Sequence, residues 1–311
     1  MRQSVVVLDS FIPVADLSAA LEVGGLDVEV VAATEIPSGA GIVALLVGPE
    51  TVGLDDRHLA ALPDLRLLAA TSAGYDHLPV DAAVGRGIRV TRAVDYCTDE
   101  VADHALALSV GLLRSTARLD AAVHAGEWDV VASPPRRIAG TVLGLFGFGL
   151  IGHAFALRAH ALGMTVLASG RSLAGRVPEW VEVVEWDELL QRSDVLSLHV
   201  PLTDDTAGIV NAAALRRMRR GSYLINVSRG GLVDHDALGA ALRHGRLAGA
   251  AIDVLPTEPP DQEDPILAIP NLVITPHAAW YSPDVASRLA RQSADNLLAV
   301  LEGRTPKGVV G

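Results

Sequence analysis

Short apolar runs alternate with longer, partly polar stretches along the whole chain. Unbroken runs of Val, Ile and Leu are typical of strands that are buried on both faces of a parallel sheet. The first part of the chain predicts helices at 14–25 and 55–63. They lie among five predicted strands, VVVLD (5–9), VEVVAA (28–33), IVALLVG (42–48), LRLLAAT (65–71) and GIRVT (87–91).

A second α/β series begins at about residue 98, where Thr98 is a candidate N-cap for a helix over 101–114. Its apolar runs predict a larger sheet than the first series does. The predicted strands are 141–147, 164–169, 194–200, 222–227, 249–254 and 272–275, and the predicted helices are 150–163, 211–219, 234–244 and 283–303. The fold class is therefore α/β, with two doubly wound parallel sheets.

Charge and composition exclude several classes of function. The 311 residues are 50% hydrophobic and carry a formal net charge of −12, which argues against nucleic acid and anionic membrane surfaces as partners. The lone Cys97 excludes an intrachain disulfide and a multi-cysteine metal cage, and no histidine spacing indicates a metal site. Neither a signal pattern nor a bilayer-length apolar run is visible, so we expect a cytoplasmic protein.

A glycine-rich turn, GFGLIG (147–152), joins a predicted strand to a predicted helix. In this context Gly147 permits a tight turn, Gly149 permits close approach of a pyrophosphate, and Gly152 permits close packing of helix and strand. The first turn of the helix then offers free N–H groups to the phosphates. The turn predicts a dinucleotide site.

The end of the next strand reads ASGRS (168–172), without the acid that commonly binds the ribose hydroxyls of NAD. Gly170 occupies the place of that acid. Arg171 and Ser172 follow it, and Arg176 is a more distant candidate. A guanidinium and a hydroxyl suit a 2′-phosphate, so we expect NADP(H) to be favoured, while NAD(H) stays open.

Three residues with acid–base or anion-binding chemistry follow predicted strands in the second half of the chain. Arg229 can hold a carboxylate through its fork, His277 can transfer a proton near neutral pH, and Glu258 can raise the proton affinity of that His and fix its tautomer. Each alone is most often a surface or loop residue. Three at strand ends behind a dinucleotide turn favour a catalytic set.

These motifs resemble those of the D-isomer-specific 2-hydroxyacid dehydrogenases over nearly the whole chain. The resemblance rests on TSAGYDHLPVDAAVGRGIRVT (71–91), DYCTDEVADHALAL (95–108), PLTDDTAGIVN (201–211), NVSRGGLVD (226–234), DVLPTEP (253–259) and TPHAAW (275–280). HAAWYS (277–282) together with DYCT is most similar to the subgroup related to the C-terminal-binding corepressors.

The resemblance implies a flavodoxin-like substrate domain of 1–97 plus 281–311 and a Rossmann domain of 98–280. It implies Arg229, Glu258 and His277 as catalytic residues, Ala73 and Gly74 as further substrate contacts, and a homodimer formed through the cofactor domain. Beyond the glycine turn and Gly170–Ser172, it implies cofactor contacts at Thr98, Leu150, Ile151, Val200, Pro201, Thr206, Val227, Ser228, Asp253, Ala278, Ala279 and Trp280.

The expected activity is hydride transfer between NAD(P)H and a small 2-oxo acid, as in glyoxylate or hydroxypyruvate reductases. Two alternatives stay open at this point. One is an NAD(H)-sensing interaction protein that resembles the corepressors. The other is a reductase of a dianionic 2-oxo acid, because Arg92 in VTRAV (90–94) replaces a small polar residue that is frequent in the family.

Overall fold

The computed structural model describes residues 3–131, 134–171, 173 and 175–310. The chain divides into two compact units, Met1–Tyr96 with Ser282–Gly311 (unit 1) and Cys97–Tyr281 (unit 2). Both units are sheets of parallel strands with helices in the connections. No helix in the described part of the chain has the length and apolar character needed to cross a membrane.

Unit 1 contains a five-stranded sheet in the order β2-β1-β3-β4-β5, the flavodoxin-like order. Its strands are Ser4–Leu8 (β1), Glu29–Ala32 (β2), Ile42–Val47 (β3), Leu67–Ala70 (β4) and Arg89–Thr91 (β5). Every residue of β3 and β4 is buried, as expected for central strands covered on both faces. The helices are Val14–Val23 (α1), Asp56–Ala60 (α2), Val80–Gly85 (α3) and the C-terminal Pro283–Leu301 (α10).

Unit 2 contains a seven-stranded sheet in the order β12-β11-β10-β9-β6-β7-β8. Its strands are Val142–Phe146 (β6), Thr165–Ser169 (β7), Val181–Val183 (β8), Val195–Leu198 (β9), Ser222–Asn226 (β10), Leu247–Ile252 (β11) and Leu272–Ile274 (β12). Its α-helices are Thr98–Arg114 (α4), Thr116–His124 (α5), Leu150–Ala161 (α6), Trp186–Arg192 (α7), Ala212–Arg217 (α8) and His235–Arg243 (α9).

Strand order reverses in this sheet between β6 and β9, as in a Rossmann fold. Successive strand residues point to opposite faces, so neighbours in one strand enter different cores. Leu224 packs in the core on one face, and Ile225 packs with Phe155 on the other. The predicted fold class, two doubly wound parallel sheets, is confirmed.

Several elements were absent from the sequence expectation, namely α3, α5, α7 and β8. α5 has no buried residue and β8 has one, so neither carries a clear apolar periodicity. The expected N-cap at Thr98 is wrong by one residue. Cys97 occupies the cap position without a side-chain hydrogen bond, and Thr98 is the first helical residue.

Candidate active site on the seven-stranded sheet

The predicted site residues of unit 2 follow the carboxyl ends of its strands, with Thr98 and the glycine turn at helix starts. Parallel strands bring these ends to one edge of the sheet, where ligands bind in α/β folds. The switch between β6 and β9 places the glycine turn beside the loop that begins at His199.

Each glycine of the turn has a distinct structural reason. Gly147 has φ +98°, and a Cβ there would lie 2.4 Å from the carbonyl oxygen of His199. A Cβ at Gly152 would lie 2.7 Å from the carbonyl oxygen of Gly147, so close packing of α6 requires glycine there. A Cβ at Gly149 would meet no atom within 4 Å. Within the described part of the chain no contact requires glycine at 149, which fits a backbone that a dinucleotide approaches closely.

The chain after β7 lies next to this turn, because Gly147 donates its N–H to the carbonyl of Ser169 at 2.8 Å. A Cβ at Gly170 would make only ordinary contacts, the nearest being Leu173 Cδ1 at 3.5 Å. The fold therefore leaves room for a Cβ at this position, so the packing around it does not require glycine. Arg171 and Arg176 are exposed, and Ser172 lies outside the described residues.

His277 and Glu258 form a hydrogen-bonded pair at this edge. His277 Nδ1 donates to Glu258 Oε2 at 2.6 Å, and Oε1 of the same carboxylate accepts the N–H of Leu255 at 2.7 Å. Partial burial is the largest single influence on Glu258 and would raise its pKa. The hydrogen bonds from His277 and from the Leu255 N–H, together with the charges of His277 and Arg229, outweigh it and hold the pKa of this carboxyl below its ordinary value of 4.5. The ionised carboxylate stabilises an imidazolium that can give up a proton.

Arg229 reaches the same place through close packing of two loops. It precedes a short 3-10 helix, Gly230–Leu232, whose first residue lies against the loop after β11. A Cβ at Gly230 would lie 2.1 Å from the carbonyl carbon of Leu255, so only glycine permits this approach. Arg229 donates from Nη1 to the carbonyl of Ser228 at 2.8 Å. A guanidinium and an imidazole thus lie near one carboxylate.

The sequence that forms this site also matches a known protein family. The family model described as D-isomer specific 2-hydroxyacid dehydrogenase, NAD binding domain, matches residues 106–279, more than half of the chain. The chain belongs to the D-isomer specific 2-hydroxyacid dehydrogenase family.

Curated relatives and solved structures agree with this membership. A glyoxylate reductase of Korarchaeum cryptofilum is 39% identical over 275 residues, which cover 86% of this chain and 82% of that protein. A glycerate dehydrogenase of Methylorubrum extorquens is 39% identical over 261 residues and 81% of each chain. The crystal structure of the TT0316 protein from Thermus thermophilus is 36% identical and has a TM-score of 0.88 over 99% of this chain and 100% of that chain.

The protein is thus an enzyme that acts on CH–OH donors and transfers a hydride between a nicotinamide cofactor and a 2-oxo or 2-hydroxy acid. Of the alternatives that the sequence left open, the enzyme is the one that these comparisons support. The predicted nicotinamide cofactor and Rossmann unit are confirmed, because the matched model describes an NAD binding domain.

Asp253 of this dehydrogenase lies at the end of β11 and is 1% exposed. Its carboxylate accepts the hydroxyl of Thr275 and the backbone N–H groups of Ala278 and Ala279, the latter two at 2.9 Å each. The predicted cofactor contact of Asp253 stays a prediction, while its contacts within the chain organise the turn that carries His277.

His199 follows β9 directly beneath Gly147. Its Nε2 lies 2.9 Å from Ser197 Oγ, and its ring centroid is 5.8 Å from that of Phe155. The residue keeps some accessible surface, but burial of the ring lowers the pKa of His199 to about 4. This imidazole is neutral at physiological pH and suits a packing role.

Other predicted cofactor residues hold the loops of this edge together. Thr206 donates its hydroxyl to the carbonyl of Pro201 at 2.7 Å and closes that loop, while Ser228 Oγ donates to the carbonyl of Leu198 at 2.7 Å. Ala279 is buried, and Trp280 contacts Tyr281 edge to face. The remaining predicted positions are partly or fully accessible: Thr98, Leu150, Ile151, Val200, Pro201, Val227 and Ala278. Their contacts with a cofactor stay predictions.

Ala73 and Gly74 follow β4 in unit 1. Within the described part of the chain, their backbone N–H groups have no acceptor. Arg92 follows β5, and the N–H of Ala93 donates to the carbonyl of Ser72 at 3.0 Å, which ties the two loops of this unit together. The substrate roles of these residues stay predictions.

Sequence analysis missed Gly230, Thr275 and His104. Glycine at 230 stands in the quoted motif, but its need for close approach depends on a loop 25 residues away. His104 lies in the predicted Ala- and Leu-rich helix, where no local signal marks it. Among the described residues, no group of three His, Cys, Asp or Glu is arranged to hold a metal ion.

Proposed function

We propose that this dehydrogenase reduces short 2-oxo acids such as glyoxylate and hydroxypyruvate to the corresponding 2-hydroxy acids, with the D configuration where C2 is a stereocentre. The observation that carries the proposal is the His277–Glu258 pair at 2.6 Å, with the charge of Arg229 acting on the same carboxylate. The names of the two relatives quoted above, a glyoxylate reductase and a glycerate dehydrogenase, support this substrate class.

In the proposed mechanism, the bound nicotinamide cofactor supplies the hydride. Arg229 binds the carboxylate of the acid through its guanidinium fork. His277, as imidazolium, donates its Nε2 proton to the carbonyl oxygen of the substrate, while Nδ1 stays hydrogen-bonded to Glu258.

The experiment is steady-state reduction of glyoxylate, hydroxypyruvate, pyruvate and bulkier 2-oxo acids by the wild-type protein and by His277→Ala. We expect His277→Ala to lower kcat by about 10²–10⁴-fold with little change in cofactor affinity. His244→Ala is the matched control, because His244 is an exposed histidine that ends α9. Retained turnover in His277→Ala would refute the role.

We further propose that NADPH is the preferred cofactor. Arg171 is exposed at the end of β7, beside the glycine turn, and no described carboxylate pairs with Arg171 or with Arg176. The contacts at Gly170 leave room for an acid that the chain lacks. A guanidinium without a competing carboxylate suits a 2′-phosphate.

Gly170→Asp tests this preference, with Gly170→Asn as an uncharged variant of the same size. The Cβ that both side chains share makes only ordinary contacts at this position. The aspartate should lower kcat/KM for NADPH through repulsion of the 2′-phosphate and raise kcat/KM for NADH, whereas the asparagine should change the ratio much less. A wild-type preference for NADH would overturn the proposal.

A second candidate substrate class, dianionic 2-oxo acids, is favoured by Arg92. This arginine is part-buried, yet its side chain has no hydrogen-bond or ion-pair partner in the described part of the chain. The other part-buried arginines that the structure describes each donate to a carboxylate or a carbonyl; they are Arg158, Arg192, Arg229, Arg246 and Arg288. A part-buried charge without a partner suits a ligand anion.

Arg92→Gln tests this candidate with glyoxylate and oxaloacetate as paired substrates. Loss of kcat/KM for oxaloacetate alone would support the dianionic class. Equal effects on both acids, or none, would leave the monocarboxylic acids as the substrate class. Arg89→Gln is the control, because Arg89 is exposed in the preceding strand.

We also propose that the enzyme is a homodimer formed through unit 2. α5 has no buried residue, although helices of this length rarely hold together without packing. Apolar side chains continue from it onto the surface, with Trp128 91% and Val131 75% exposed. An exposed apolar patch of this kind is typical of an interface, and the identical patch on a second copy is a self-complementary partner.

A further inference from the structure

We propose that Asp253, Thr275 and His104 act as a positioning set that holds His277 in its reactive place. The inference rests on the proposed role of His277 as proton donor. It assigns to Asp253 a function besides the predicted cofactor contact, and it brings in Thr275 and His104, which the sequence did not mark as site residues.

The side chain of Asp253 is a buried carboxylate. Asp253 is 1% exposed, and a buried carboxylate is costly unless hydrogen bonds satisfy it. Here the turn 275–279 wraps around it. The Thr275 hydroxyl and the Ala278 N–H donate to Oδ1, and the Ala279 N–H donates to Oδ2. The carboxylate therefore determines the conformation of this turn.

The backbone of His277 lies inside the same turn. His277 has φ +52°, in the left-handed region that non-glycine residues seldom adopt. Its N–H donates to the carbonyl of Asp253 at 2.8 Å and to that of Thr275 at 3.0 Å. Thr275 before His277 and Ala278 after it also donate hydrogen bonds to Asp253. This network holds the unfavourable conformation in place.

His104 on α4 extends this network. Its Nε2 lies 3.1 Å from Thr275 Oγ and 3.6 Å from Asp253 Oδ1. Because Thr275 donates its hydroxyl proton to Asp253, the hydroxyl oxygen accepts from the Nε2–H of His104. A donor chain therefore runs from His104 through Thr275 to Asp253, and it orients the hydroxyl.

The turn sets the direction in which the His277 side chain leaves the backbone, and that direction brings Nδ1 to Glu258. Displacement of a reacting group by about 1 Å can lower a rate by about 10²-fold. Loss of the Thr275 hydroxyl should therefore reduce proton transfer more than it reduces cofactor binding.

The experiment compares Thr275→Val with Thr275→Ser in the full chain. Valine keeps the shape and removes the hydroxyl, whereas serine keeps the hydroxyl. We expect valine to lower kcat for glyoxylate about 10- to 100-fold with an unchanged Kd for NADPH, and serine to restore kcat to within a few-fold of wild type. His104→Leu should lower kcat in the same way, and His104→Gln, which retains a donor near Nε2, should restore most of it.

A double-mutant cycle separates positioning from general damage. If Thr275 acts through His277, Thr275→Val should add little to the loss that His277→Ala already causes. Additive losses, or a rise in the Kd for NADPH without a fall in kcat, would overturn the inference. If Thr275→Val fails to fold, His104→Leu and His104→Gln test the inference by the same measurements of kcat and Kd.

The proposed function and this inference fail in different ways. Full activity in His277→Ala refutes the proton-donor role. Inactive His277→Ala together with fully active Thr275→Val and His104→Leu refutes only the positioning set.

Discussion

The His277–Glu258 pair shows how the chemistry of single residues depends on their immediate surroundings. The carboxylate of Glu258 accepts from a backbone N–H as well as from His277. Burial is the largest single influence and would raise the pKa of Glu258, but these hydrogen bonds and the charges of His277 and Arg229 together lower it. Above its ordinary pKa the group is ionised, and its contribution to stability is lost only as the pH falls through the lowered value.

Glu258→Gln should change the pH profile of reduction. The carboxylate that stabilises the imidazolium is lost, so the alkaline fall in kcat should move to lower pH and kcat should fall about 10- to 100-fold near neutral pH. The measurement is kcat for glyoxylate between about pH 5 and 9. Glu263→Gln, an exposed residue of the same loop, is the control and should leave the profile in place. An unchanged profile in Glu258→Gln would contradict the pairing.

His199 should make the folded protein sensitive to mild acid. Burial lowers the pKa of His199 from 6.5 to about 4. Between these two pH values, His199 therefore binds a proton in the unfolded chain but not in the folded chain. The contribution of His199 to stability is complete above pH 6.5 and is lost as the pH falls towards 4. Between pH 7 and 5 this loss is about 2 kcal/mol.

His199→Gln should therefore lose less stability than the wild type between pH 7 and 5, as measured by urea unfolding at both values. The control is His244→Gln, in which an exposed histidine is replaced. An identical loss in wild type and His199→Gln would show that other groups cause the acid sensitivity.

At the scale of elements, the glycine turn combines residues that the fold requires with one that it does not. Gly147→Ala places a Cβ 2.4 Å from a backbone oxygen at φ +98° and should lower the free energy of unfolding by about 2 kcal/mol or more. Gly149→Ala meets no atom within 4 Å and should keep the wild-type Tm. Only close approach of a dinucleotide penalises it, so its Kd for NADPH should rise.

Thermal unfolding and fluorescence titration of NADPH check this pair. A Gly149→Ala variant that binds NADPH as the wild type does would place the cofactor away from the turn. A Gly147→Ala variant with an unchanged Tm would mean that the turn is not held as the structure describes.

α5 gives the second prediction at this scale. Trp128→Asp should shift the protein from dimer to monomer in light scattering at micromolar concentration. An aromatic side chain at the centre of an interface commonly contributes about 2 kcal/mol or more, and a carboxylate in its place would be buried without a partner. Val23→Asp, at an equally exposed valine of unit 1, is the control and should remain dimeric. A wild-type monomer would refute the dimer outright.

At the scale of the whole molecule, each unit has its own hydrophobic core. A ligand that binds only one folded unit stabilises that unit by mass action. NADPH at about 100 times its Kd should stabilise unit 2 by about 2.7 kcal/mol and raise its Tm by about 5–10 °C. Calorimetry with and without NADPH measures the shift.

Gly147→Ala identifies the transition of unit 2, because it destabilises that unit. If NADPH raised the Tm of a transition that Gly147→Ala leaves in place, the cofactor site would lie outside the seven-stranded sheet.

The sequence by itself determined every described strand except β8, the fold class and the place of the glycine turn. Each of these depends on neighbouring residues. Apolar runs such as 42–48 and 141–147 are buried wherever they pack, and glycine at 147 permits the positive φ of the tight turn. The absence of an acid at Gly170 is likewise readable from the chain alone.

Only the tertiary structure decided which of these residues meet. Glu258 and His277 are 19 residues apart, and their contact depends on strand order. The close approach that Gly230 allows brings the Arg229 loop against the loop that carries Glu258. Asp253 is buried because the His277 turn packs over it, and α5 is exposed because no described element covers it. No local sequence pattern predicts either fact. Contacts between strand ends arise from long-range packing, and that is the physical reason why they appeared only in the fold.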